Sequence, residues 1–218
     1  WHLPNHDPWE EYGDRIHPVT LASVYGGLNA VRRFGYDTAE VAAQIRSLAL
    51  SQLTSDGAVP KHLGSQEVDA NLLWLAVPFE MLRPDDPIMK RTASRIQQEL
   101  DKSGGLVRYR ADTYYGGGRW ILLTAWLGWY LSRTGDSGEA LRRLEWIEEQ
   151  ATPDGELPEQ VTDLTNDPSM VEVWRRRWGA VALPLLWSHA MYLVLVKELE
   201  YYTGVAGESK EPEKRRSI

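Results

Sequence analysis

The chain is 218 residues long, enough for one well-packed domain, and carries a formal charge of −7 with no cysteine. The acidic balance offers nucleic acid no basic footprint, and the missing thiols exclude disulfides, thiol catalysis and cysteine-ligated zinc. No apolar run approaches the roughly 18 residues of a membrane span, and a cysteine-free composition favours a reducing compartment such as the cytoplasm.

The first residue is Trp1, with no Met and no basic-then-apolar leader, so the chain reads as processed or as part of a larger product. Apolar spacing then predicts seven helices, near 17–34, 38–53, 69–82, 87–102, 118–134, 137–151 and 180–203. Asp37 with Glu40 three residues on predicts a capping box for the second helix. Asp86-Pro87 predicts an N-cap followed by a first-turn proline for the fourth, and Gly35 and Gly135 predict helix stops. No strand-like alternation of useful length occurs, so the expected class is all-α. Residues 1–206 read as folded and 207–218 as a charged, flexible tail.

The turns repeat. Asp56-Gly57-Ala58-Val59-Pro60 follows the second helix, Gly104-Gly105-Leu106-Val107-Arg108 the fourth, and Asp154-Gly155-Glu156-Leu157-Pro158 the sixth. Gly57, Gly105 and Gly155 are 48 and then 50 residues apart, the signature of stacked or ring-arranged helical hairpins. One further period back lies Asp7-Pro8-Trp9-Glu10-Glu11. All four segments therefore emerge at one end of the assembly.

That arithmetic pairs two carboxylates. Glu10 and Glu159 are 149 residues apart, three hairpins, which is half a turn in a ring of six. Two carboxylates facing each other across a mouth suit an inverting glycosidase, whose acid and base stand roughly 6.5–9.5 Å apart with a water between. An isolated loop Glu is ordinarily solubilising charge; the shared period is what singles these two out. Ten Trp and ten Tyr against two Phe add rings with an apolar face and a polar edge, suited to sugars as well as to helix packing.

On these residues the sequence resembles glycoside hydrolase family 15, the glucoamylase-like α-glucosidases. Asp7-Pro8-Trp9-Glu10-Glu11 is similar to the family's general-acid segment, and Arg108-Tyr109 with Asp112-Thr113-Tyr114-Tyr115-Gly116-Gly117 to its sugar-binding run. Trp120 falls at the family's Asn-Pro-Trp position, Leu157-Pro158-Glu159-Gln160 resembles the general-base motif, and Trp187-Ser188-His189-Ala190 the start of the last inner helix. Pro8, Arg119 and His17-Pro18-Val19-Thr20 depart from the family pattern.

The resemblance implies an (α/α)6 toroid of helical hairpins, with this chain supplying about helices six to twelve as the C-terminal portion of the catalytic domain. It implies Glu10 as general acid and Glu159 as general base. Asp7 and Glu11 would hold the first segment and bind hydroxyls, and Arg108 would donate a forked pair of hydrogen bonds to the sugar. Tyr109 would belong to the same sugar-binding pair. Trp9, Tyr114, Trp120 and Trp187 would wall the terminal glucose, and Lys61, at the rim position of Arg108, would reach substrate. No cofactor and no metal are expected; the partners are an α-glucoside and an N-terminal chain or fragment completing the toroid. The expected activity is release of β-glucose from the non-reducing ends of maltooligosaccharide or isomaltose-type sugars. Trehalose hydrolysis, a toroidal disaccharide phosphorylase and a non-catalytic sugar-binding helical protein remain the alternatives. Asp85-Asp86 reads as a cap, Arg175-Arg176-Arg177 as a solvated run and His189 as a packed helix residue.

Overall fold

The computed structural model describes residues 1–203. The expected tail at 207–218 lies outside the described residues. Seven α-helices are present among them: α1 Pro18–Val31, α2 Ala39–Ala49, α3 Pro87–Leu100, α4 Ile121–Arg133, α5 Ser137–Glu149, α6 Ser169–Trp178 and α7 Leu186–Thr203. They are not the seven that spacing predicts.

Burial sorts the helices into two layers. α4 is apolar all round and buried from Ile121 to Gly128, as an inner helix must be. α3 buries Met89, Thr92, Ala93, Ile96 and Leu100, a single stripe at helical spacing, and α2 buries Ala42, Ile45 and Ala49. α1, the segment around 70–75, α4 and α7 pack side by side in that order; α2 covers α1, α3 covers the segment and α5 covers α4. The result is an arc of inner and outer elements. Leu21, Ile45, Leu72, Leu75, Ile96, Leu106, Trp126, Ile147 and Leu195 join in one core.

The expected helix at 69–82 is corrected to a 3-10 stretch, Ala70–Leu75, followed by turns. Pro78 has no N–H to give and disfavours helical geometry at Val77, so the stretch cannot continue. The capping box is corrected too: Thr38 is the cap residue of α2 and makes no side-chain cap, while Asp37 Oδ1 accepts only a 3.3 Å contact from Ala39 N. Asp86 does cap α3, accepting from Ile88 N at 2.8 Å, and Gly35 and Gly135 end their helices with φ of 87° and 88°.

Two of the repeat turns match down to their hydrogen bonds, whereas the Gly104-Gly105 turn closes a hairpin of two short antiparallel strands. Thr54 N donates to Ala58 O and Gly57 N to Thr54 O; Thr152 N donates to Glu156 O and Gly155 N to Thr152 O. Each threonine hydroxyl also accepts the N–H four residues on, at 2.9 and 3.1 Å.

Strands are present where none was expected. Asp101–Lys102 (β1), Gly105–Leu106 (β2), Arg119–Trp120 (β3) and Gln160–Val161 (β4) form an antiparallel sheet in the order β1-β2-β3-β4. Two-residue strands are too short to carry an alternating pattern, which is why the sequence does not betray them. Their effect is local: they stitch the turns after α3, before α4 and after α5 into one rim.

Candidate active site

Glu10 is placed by a tight turn. Asp7 Oδ1 accepts from Trp9 N and Glu11 N, both at 3.0 Å, and Glu10 N donates to Asp7 O at 3.0 Å. The turn leaves Glu10 with φ of 60°, a conformation non-glycine residues seldom adopt except where surroundings enforce it. Its side chain is exposed at the mouth of the arc.

Glu159 is placed by backbone on both sides. Its N–H donates to Ala182 O at 2.9 Å and its carbonyl accepts from Ile121 N at 3.3 Å. Just before it, Leu157 N donates to His189 Nε2 at 3.0 Å, and Ser188 Oγ donates to Pro158 O at 2.7 Å. The first turn of α7 thus holds the Leu157-Pro158-Glu159 turn, and His189 is the packed helix residue expected. Burial raises the Glu159 carboxyl above its ordinary value, while Gln160, the Arg108 guanidinium and Tyr114 pull the other way. Burial and the neighbouring Glu159 push the Tyr114 hydroxyl up to about 12.

Both glutamates line one open cavity of about 410 Å³, with Glu11, Arg108, Trp9, Tyr114, Trp120 and Trp187. Pro8, Trp174 and Leu185 complete its wall. Trp120 packs 5.6 Å from Trp9 and 6.1 Å from Tyr114, and Tyr114 meets Trp174 edge-on at 5.0 Å. Glycines make this wall possible. A Cβ on Gly117, whose φ is +67°, would stand 2.2 Å from Asp112 O, and one on Gly118 would stand 2.5 Å from Val161 O.

Arg108 behaves differently from expectation. Its Nε and Nη2 are taken by Asp112, at 2.8 and 2.5 Å, and Nη2 also lies 3.2 Å from Glu11 Oε1. The guanidinium sits between the rings of Trp9, Tyr114 and Trp120, at 5.3, 5.3 and 5.6 Å from their centroids. The fork therefore grips a carboxylate of the chain itself. Among the described residues no hydrogen bond engages Nη1, so a sugar hydroxyl would meet one arm rather than two. Burial disfavours the charge, yet Asp112 and Glu11 outweigh it and hold the guanidinium's pKa above its ordinary value.

Three expected sugar-binding residues lie behind the wall instead of on it. Asp7, Lys61 and Tyr109 are 5%, 2% and 5% exposed and do not line the cavity that holds Glu10 and Glu159. Spacing fixes where a backbone emerges; it does not fix how deep a side chain turns. The Tyr109 hydroxyl donates to Glu11 Oε2 at 2.5 Å. Arg119, at the family's divergent position, faces away from the cavity, with Nη2 donating to both Asp163 oxygens at 2.7 and 2.6 Å. Leu185 and Trp174 are the wall residues that sequence reading missed. Trp174 sits on α6, which carries the Arg175-Arg176-Arg177 run, exposed as expected, and no member of the turn repeat flags it.

Among the described residues no group of His, Cys, Asp or Glu could hold a metal ion, and no helix is long and apolar enough to cross a membrane. No protein-family model matches the chain. It is similar to an isomaltose glucohydrolase of Kribbella flavida, 45% identical over 207 residues that cover 91% of this chain and 54% of that protein. A solved glycosidase in complex with glucose superimposes with a TM-score of 0.88 at 45% identity, over 91% of this chain and 56% of the other. The glucoamylase of Hormoconis resinae shares the fold, with a TM-score of 0.54 at 15% identity over 90% of this chain and 44% of the other. The chain thus spans about half the length of the relatives it matches. With the ordered motifs, the arc of inner and outer helices and these likenesses together, the chain is similar to the glucoamylase-like glycoside hydrolases and shares the paired-helix fold of their (α/α)6 catalytic domain.

Proposed function

We propose that this chain carries the acid and the base of an inverting exo-acting α-glucoside hydrolase, with an isomaltose-type sugar as the first substrate to try. The observation that carries the reading is the single cavity lined by Glu10, Glu159 and four tryptophans. The relative named for isomaltose hydrolysis supports the choice of sugar.

In the proposed reaction Glu159 takes a proton from a water as its oxygen attacks the anomeric carbon. The bond from that carbon to the glycosidic oxygen breaks, and Glu10 gives that oxygen its proton. Glucose leaves with inverted configuration, Glu10 ionised and Glu159 protonated; solvent exchange resets both. A base must be ionised yet proton-hungry, and the burial that raises the Glu159 pKa suits it to that role. Trp120, Tyr114 and Trp174 supply ring faces for the sugar's CH groups, and the Glu11–Arg108 pair supplies polar atoms for its hydroxyls.

The toroid is proposed to be completed by the N-terminal portion of the same domain. Val24 and Val31 on α1 and Leu186 and Leu193 on α7 are exposed at the two ends of the arc, where further inner helices would cover them.

The test is glucose release by the complete enzyme from isomaltose, maltose and trehalose, with and without phosphate, following the anomer formed by NMR. Initial β-glucose, independent of phosphate, is expected. Initial α-glucose would refute inversion, a phosphate requirement would favour a phosphorylase, and no turnover would leave a sugar-binding protein. The preferred disaccharide fixes the linkage.

A further inference from the structure

Behind the Glu10 turn lies a buried lysine that substrate does not meet in the cavity. Lys61 Nζ donates to Asp69 Oδ2 at 2.9 Å, lies 4.0 Å from both Asp7 Oδ2 and Glu11 Oε2, and stands over the Tyr109 ring at 3.0 Å. Asp69 is fully buried, and its two oxygens accept from Trp9 Nε1 at 3.2 and 3.1 Å. Asp7 Oδ1 holds the backbone N–H groups of Trp9 and Glu11. The other oxygen of Asp7 is buried with no hydrogen-bond partner among the described residues, and Lys61 is the cation that faces it.

These contacts converge on Glu10. Trp9 is pinned through its indole by Asp69 and through its backbone by Asp7; Glu11 is pinned through its backbone by Asp7. Glu10 stands between them in a left-handed conformation that those anchors help to hold. One ammonium meets the charge of both anchoring carboxylates. Without it two buried carboxylates face each other uncompensated, and one must move or take up a proton.

We propose that Lys61 and Asp69 are positioning residues for the general acid, an ion pair behind the cavity wall that fixes the direction in which Glu10 presents its carboxyl group. The proposal rests on the reading of Glu10 as the acid. It predicts a defect confined to leaving groups that need a proton.

The experiment compares Lys61→Met, Asp69→Asn and Glu10→Gln in the full-length enzyme, on isomaltose and on α-glucosyl fluoride. Fluoride departs with little proton assistance, whereas a sugar alkoxide needs it. Lys61→Met and Asp69→Asn are expected to lower kcat on isomaltose by about 100-fold or more and on the fluoride by less than about fivefold, tracking Glu10→Gln. Equal losses on both substrates, or no loss on either, would overturn the proposal. Should Lys61→Met fail to fold, the near-isosteric Asp69→Asn decides by the same ratio. Failure of both to fold would also overturn it, since the pair would then serve folding with no separable effect on the acid. If Glu10→Gln itself loses both substrates equally, the proposal falls with the reading it rests on; a selective Glu10→Gln beside unselective pair variants sinks the positioning role alone.

Discussion

Glu159 is the residue on which sequence and structure meet. Its carboxyl binds a proton more tightly in the fold than the ordinary value of 4.5, chiefly because burial penalises the charge. The proposed base acts ionised, so the acid limb of kcat/KM is expected above the ordinary value of 4.5, with activity falling as pH drops through that limb; a pH–rate profile checks this. The same shift has a stability sign. A raised folded pKa gives stability that is present at low pH and lost as pH rises through that pKa, so at neutral pH the ionised Glu159 costs the fold free energy. Glu159→Gln is therefore expected to lower kcat by about 10²–10⁴ while leaving the melting temperature at pH 7 equal or higher. A drop in both would show a structural role instead. Trp174, invisible to the turn repeat, makes a second residue-level prediction. Trp174→Ala removes a ring that touches Tyr114 and lines the cavity, and KM for the glucoside is expected to rise about tenfold, ~1.4 kcal/mol, as steady-state kinetics would report.

At the scale of elements, the four short strands do what no single helix could. β2 leads into Val107 and Arg108, β3 holds Trp120 and β4 follows Glu159, so one sheet sets the spacing of that carboxylate, cation and ring. The Gly116-Gly117-Gly118 run before β3 makes that approach possible. Gly117→Ala puts a methyl 2.2 Å from Asp112 O at a φ of +67°, and is expected to cost at least about 1–3 kcal/mol. Urea unfolding measures the loss, and quenching of the site tryptophans by sugar would weaken with it. The repeat turns tell the complementary story. The Thr54 and Thr152 turns share their hydrogen bonds, yet seven residues on one delivers Lys61 to the interior and the other Glu159 to the cavity. Identical backbone scaffolding presents opposite charges to different surroundings.

For the whole molecule, the arc has two open ends. Leu193 on α7 is 59% exposed and Leu186 83% exposed, although α7 is apolar on nearly every side. Leu193→Asp is expected to change the stability of this chain alone by no more than about 0.5 kcal/mol, since the side chain is exposed among the described residues. In the complete enzyme the same change is expected to lower the melting temperature and activity together, because a charge would enter the proposed contact with the N-terminal helices. Calorimetry on both forms separates the outcomes; an equal effect on each would refute the proposed contact.

The sequence by itself determined the helical class, the hairpin period and the ordered motifs, because helix amphipathicity, caps and glycine turns are local properties written at fixed spacing. It also named the two glutamates, since a period of about 50 residues converts chain distance into position around a ring. Tertiary structure alone decided three things. Pro78 turned an expected inner helix into a 3-10 segment held by its neighbours. Two-residue strands, which need a partner to exist at all, drew the rim together. And burial depth put Lys61 and Asp69 behind the wall and Trp174 on it, because which way a side chain turns is settled by the elements packed around it, not by its place in the repeat.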